Sequence, residues 1–113
     1  MITITNDVQM VVKKALVLET VKGSGEIAKI QPGFYSLIKT GLTEINGDQL
    51  SETMRLLTTL INKRVLKIQK LATFGPMTNE IELCLSDEEK KLYNSVHETC
   101  TAFKGNIMVN KYV

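Results

Sequence analysis

The sequence predicts an all-α protein, a small helical bundle of about four helices built on one long central helix and ending in a short extended C-terminal tail. Three observations carry this expectation. From Leu50 to Ala72, apolar residues at Leu50, Met54, Leu57, Ile61, Val65, Ile68 and Ala72 recur at alternating steps of four and three, the period of a helix with one apolar side. Ser86-Asp87-Glu88-Glu89 is a capping box, in which Ser and Glu satisfy each other's backbone donors and the acids face the positive end of a helix. Gly23-Ser24-Gly25, Asn46-Gly47 and Gly75-Pro76 cut the chain into helix-length pieces.

Taken in order, Val8, Val11, Val12, Ala15, Leu16 and Leu18 have helical spacing behind Asn6 and Asp7, either of which can cap a first helix reaching Val21. Valines at 8, 11, 12, 17 and 21 leave a strand open as well, because β-branched side chains fit a pleated surface. Pro32 suits the first position of a short helix running to about Thr40, with Gly41 placed to end it. That helix offers Phe34, Leu37 and Ile38 to a core. Asn46-Gly47-Asp48 starts the long helix and Gly75-Pro76 stops it. Ile81, Leu83 and Leu85 alternate with Glu82 and Cys84, as in a short extended segment or a loop packed inward. The last helix carries Leu92, Val96, Cys100 and Phe103 on one stripe, Gly105 sits where a left-handed cap stops it, and Ile107, Val109 and Tyr112 form the tail.

Composition narrows the function. A chain of 113 residues with 43% apolar and 23% charged residues suits one folded domain over residues 1–113, burying about two-thirds of its surface. The net charge of +2 is too small to make the whole molecule a partner for nucleic acid, although a local basic face stays open. Cys84 and Cys100 read as reduced thiols, and no apolar run is long enough for a membrane span, so the cytoplasm or nucleoid is expected, or the nucleus in a eukaryote.

The chemistry inventory is thin. His97 is the only histidine, so one imidazole would have to serve any nucleophile, and it reads as a boundary residue of the last helix. Asp87, Glu88 and Glu89 are explained by capping, and no glycine-rich phosphate cradle exists. No enzyme activity, catalytic residue, cofactor or metal is expected. Lys63, Lys67 and Lys70 share one helix face and are the candidate nucleic-acid contacts, a pattern that a solvated face also produces. Leu56, Leu60, Leu66 and Leu71 widen the apolar surface beyond the main stripe. Such a helix lies centrally in its own domain or is covered by a partner subunit. Ile61→Asp, which places a carboxylate in the stripe, is expected to disrupt folding or assembly.

Three segments, in order, resemble the α-helical domain of the GINS replication-complex family: Ile30-Gln31-Pro32-Gly33-Phe34-Tyr35, Arg64 to Ala72, and Leu85-Ser86-Asp87-Glu88-Glu89-Lys90-Lys91-Leu92-Tyr93. The last is similar to the family's Leu-x-x-Glu-Glu-x-x-Leu-Tyr helix start. The resemblance implies a non-enzymatic subunit that assembles with sister GINS-like subunits and scaffolds and activates the MCM helicase. It also implies a RecJ-like or Cdc-type partner and contact with primase or polymerase. Phe34, Tyr35, Leu57, Ile61, Arg64, Leu92 and Tyr93 become the candidate interface residues. The alternative from the residues themselves is a small helical DNA- or RNA-binding regulator using the lysine face. Family members usually add a small β-rich domain, for which 113 residues leave no room after Gly105; the chain is then a single-domain member or ends after the helical domain.

Overall fold

The computed structural model describes residues 7–108, and these form five helices: α1 Val8–Lys22, α2 Phe34–Leu42, α3 Gly47–Phe74, α4 Asn79–Glu82 and α5 Asp87–Met108. The helical bundle with a long central helix is as expected, and α1 settles the valine-rich segment as helix. Asp7 caps it, its carboxylate accepting from the Gln9 N–H at 3.0 Å. The valines are tolerated there because packing of Val8 and Val12 against α3, rather than intrinsic propensity, stabilises the helix.

Helix α2 begins later than the sequence indicates. Gln31, Pro32, Gly33 and Phe34 form a β-turn closed by Phe34 N–H to Gln31 O at 3.1 Å, and Gly33 holds the left-handed backbone (φ 74°, ψ 14°) of a type II turn. Pro32 thus belongs to the turn ahead of the helix. Nor does Gly41 end α2, which runs through it to Leu42. Its role is close packing. A Cβ at position 41 would lie 2.7 Å from the Val8 Cβ and 3.0 Å from its Cγ2. Gly41→Ala is therefore expected to destabilise the fold by about 1–2 kcal/mol, overpacking outweighing the gain in helix propensity. An unchanged urea midpoint would show that α1 and α2 do not meet this closely.

Helix α3, 28 residues and so about 42 Å long, is the spine of a body measuring 68 × 25 × 21 Å. Contacts pair in the same order along α1 and α3, Val12 near Leu57 and Leu60 and then Glu19 beside Arg64 and Lys67, so the two helices run parallel. The same holds for α3 and α5, where Arg64 meets Glu89 and Ala72 meets His97. Helix α2 and the α4 segment return the chain between these parallel members. Two apolar clusters result. One joins Val8, Val12, Ile30, Phe34, Ile38, Leu56, Leu57 and Leu60; the other joins Ile27, Ile68, Ala72, Leu85 and Tyr93.

Several boundaries depart from expectation. The alternation at Ile81, Leu83 and Leu85 is not a strand: Thr78 caps the one-turn helix α4, its hydroxyl oxygen accepting from the Ile81 N–H at 3.1 Å. Alternation over so few residues is equally satisfied by one helical turn and the bend that follows it. Gly105 does not stop the last helix, which continues through Ile107 to Met108. Glycine is permitted inside a helix at a modest entropic cost. The remaining tail positions, Val109 and Tyr112, lie outside the described residues. No helix among the described residues is long and apolar enough to cross a membrane.

Candidate functional site

The buried face of α3 is rotated from the apolar stripe. It consists of Thr53, Leu56, Leu57, Leu60, Arg64, Lys67, Ile68 and Ala72, while Met54 and Ile61 face out. Two basic residues on the inner face broke the apolar pattern, and a periodicity count that treats every Arg and Lys as solvated selects the neighbouring stripe. Ile61 is 37% exposed, so Ile61→Asp is expected to leave the fold intact, contrary to the expectation from the stripe, and a melting temperature within about 2 °C of the parent would confirm it.

Arg64 is fully buried between the two apolar clusters, and all five of its N–H donors are used. Nε and Nη2 form a fork on Glu89, at 2.7 Å to Oε2 and 2.8 Å to Oε1. Nη1 donates to Glu19 Oε1 at 2.6 Å and to the Ala28 carbonyl at 2.7 Å, and Nη2 also reaches the Cys84 carbonyl at 2.9 Å. Lys67 Nζ donates to Glu19 Oε2 at 2.7 Å and to the Glu19 carbonyl at 2.6 Å. Tyr35 O–H donates to Glu89 Oε2 at 2.7 Å. Two cations and two anions thus meet with no net charge, drawing on α1, α2, α3, α5 and the connecting segments at Ala28 and Cys84. No buried side-chain polar atom among the described residues lacks a partner. This satisfaction is what makes four desolvated charges tolerable.

The capping box is present, with Ser86 N–H to Glu89 Oε1 at 3.1 Å and Glu89 N–H to Ser86 Oγ at 3.1 Å. Glu89 therefore does two things at once, capping α5 and holding Arg64. Burial favours its neutral acid, but the Arg64 hydrogen bonds and charge, helped by Ser86 N–H and the Tyr35 hydroxyl, outweigh that and hold its carboxyl below the usual range. Tyr35 is pushed in the other direction, first by burial and then by the Glu89 charge, so it stays protonated as a donor. Arg64, despite burial that disfavours its charge, is held cationic by Glu89 and Glu19.

The sign of the linkage follows. An acid whose folded pKa is depressed stabilises the fold above its unfolded value of about 4.3, and that contribution disappears as pH falls through the folded pKa. The melting temperature is expected to drop below about pH 5, and Glu89→Gln to flatten that drop while lowering stability at pH 7. Parallel curves for parent and variant would exclude Glu89 as the source.

The candidate interface residues are distributed unevenly. Phe34 and Leu57 lie in the first apolar cluster, with the Tyr35 ring against Phe34 edge-on at 5.3 Å. Leu92 packs on the second cluster, in which Tyr93 is buried. The Tyr93 hydroxyl donates to the Gly75 carbonyl at 2.8 Å and lies 3.2 Å from the Leu71 and Pro76 carbonyls, closing the C-terminal end of α3. Phe34, Leu57, Arg64 and Tyr93 are thus interior residues and not surface for a partner, since each is spent on contacts within the chain; Ile61 faces outward. The lysine face is divided. Lys67 is turned inward onto Glu19, and Lys63 and Lys70 are left on the rim of the α1–α3 groove. His97 sits at the boundary, its Nδ1 3.0 Å from the Ala72 carbonyl, and Cys84 and Cys100 are free.

Sequence reasoning missed Glu19 and the inward strap Ile27-Ala28-Lys29-Ile30, whose Ile27, Ala28 and Ile30 are buried. A signal existed for Glu19. It stands directly on the Val8–Val12 side of α1, eleven and seven residues on, where an acid is unexpected unless paired. Beyond Cys100, α5 overruns the end of α3, tied to it last by Lys104 Nζ to the Thr73 carbonyl at 2.9 Å. Phe74, Phe103 and Ile107 are left exposed around this projecting end.

A parallel three-helix body with short return segments, locked by an internal arginine hub, defines a small helical-bundle domain whose ordered motifs serve its own fold. The family model for the GINS complex protein helical bundle domain (Sld5) matches residues 8–108, and the chain belongs to that family. No curated protein and no solved structure gives a match beside it.

Proposed function

We propose that the chain is a non-enzymatic subunit of a GINS-type DNA-replication complex. It acts as one helical domain that assembles with sister GINS-like subunits, and through them scaffolds and activates the MCM helicase together with a RecJ-like or Cdc-type partner. The observation that carries this reading is the family match over residues 8–108, which takes in every helix. The surface supports it. At the projecting end of α5, Phe103, Ile107 and Met108 are each half or more exposed, and Phe74 ends α3 exposed as well, apolar surface of the kind a partner subunit can use. Subunit assembly covers it. The work is done in a replicating cell's cytoplasm or nucleoid, or in the nucleus of a eukaryote.

The experiment is reconstitution. The chain, co-purified with GINS-type sister subunits and offered the MCM helicase, is expected to form a complex of defined mass by light scattering and to raise DNA unwinding. Phe103→Asp with Ile107→Asp is expected to abolish assembly without lowering the melting temperature. A compact monomer that captures neither sister subunits nor helicase would overturn the proposal.

A further inference from the structure

Helix α1 has a second apolar side that nothing among the described residues covers. Its inner side, Val8, Val12 and Glu19, packs within the chain. Diametrically opposite stand Met10, Lys14, Val17 and Val21, at steps of four, three and four, with Leu18 alongside; the four apolar members are each more than half exposed. Such spacing is the seam that one helix offers another. Lys13 and Lys14 flank and interrupt it, and Lys63 and Lys70 line the neighbouring groove with Leu66. Among the described residues none of these four lysines is in an ion pair. The nearby acids are engaged elsewhere: Glu19 with Arg64 and Lys67, Glu26 with Lys22, and Glu52 with Arg55.

We propose that this outer face of α1 docks an acidic amphipathic helix of a partner protein, with apolar residues at the same four-three-four spacing and carboxylates opposite Lys13, Lys14, Lys63 and Lys70. Charge complementarity selects that occupant. A second copy docking α1 on α1 would bring the Lys13-Lys14 pairs of both chains into one partly dehydrated seam, where like charges repel. A bilayer would have to accept Lys14 in the middle of the apolar stripe, whereas a helix can answer it with one Glu. A nucleic-acid backbone would leave Met10, Val17, Leu18 and Val21 uncovered. The 15 residues of α1 give a seam about 22 Å long, matched by a partner segment of about four turns. This reading does not depend on which complex the chain joins.

The test is selection from a displayed library of 20-residue helical peptides on the full chain, with counter-selection on the Val17→Asp, Val21→Asp variant, whose substitutions are solvent-facing and leave the melt unchanged. Enriched peptides with apolar residues at steps of four and three and an excess of Asp and Glu are expected. Their affinity should fall at least about tenfold for Lys13→Glu, Lys14→Glu and return when the peptide carboxylates are exchanged for lysines. Enrichment of neutral or basic sequences, or equal binding to the variant, would overturn the proposal. So would a chain mass that doubles and reverts on Val17→Asp, Val21→Asp, or α1-dependent binding to vesicles containing phosphatidylserine.

Discussion

Arg64→Leu is expected to lower stability by about 3–5 kcal/mol, the largest effect of any single substitution at the hub. Removing the guanidinium leaves Glu89 with only Ser86 N–H and the Tyr35 hydroxyl, and leaves Glu19 to Lys67 and the Ala28 N–H. Glu19 then keeps the Lys67 ammonium, while Glu89 is a buried carboxylate with no cation beside it. The Ala28 and Cys84 carbonyls lose their Arg64 donors, so the strap and the start of α5 loosen together. For a domain of this size the melting temperature should fall by about 12 °C or more. Combining Arg64→Leu with Glu89→Gln should recover part of the loss, because the uncompensated charge goes with it. A shift below about 4 °C for Arg64→Leu would mean that water already serves these groups.

Leu60→Ala is expected to cost about 2–5 kcal/mol, as for other aliphatic truncations in closed cores. Leu60 is wholly buried in the cluster that joins α1, α2 and α3 and sits one turn before Arg64, so the cavity opens where three helices meet. The neighbouring Ile61→Ala should cost well under about 1 kcal/mol, since its side chain is already partly in water. Chemical denaturation of both variants measures the register of α3 directly. Equal costs would place the helix about half a step from the orientation described, and a larger cost at Ile61 would restore the sequence-derived stripe.

Element existence was legible in the sequence where local rules act alone. Asp7 caps α1, Ser86 and Glu89 close the capping box of α5, and Gly75 follows the last residue of α3, because each feature depends on side chains within a few residues of the backbone groups they satisfy. Helix ends marked by glycine were less secure. Gly41 and Gly105 both lie inside helices, one because Val8 needs the missing Cβ and the other at an end that projects past its neighbour. The GINS resemblance rested on motif order, and the family match agrees with it. The same motif residues proved to be the chain's internal fasteners: Arg64 at the hub, Glu89 on two duties and Tyr93 closing α3.

By itself, the amino-acid order determined an all-α chain and its long central helix, since helical periodicity and caps are written within a dozen residues, while the family came from a resemblance of ordered motifs that the family match bears out. Only the tertiary structure decided which side of α3 is interior, and with it that Arg64 and Lys67 belong to the core while Ile61 does not. The physical reason is distance along the chain. A buried cation is stable only beside its acids, and those of Arg64 come from positions 45 residues before it and 25 after it, on helices that meet only once the bundle has formed.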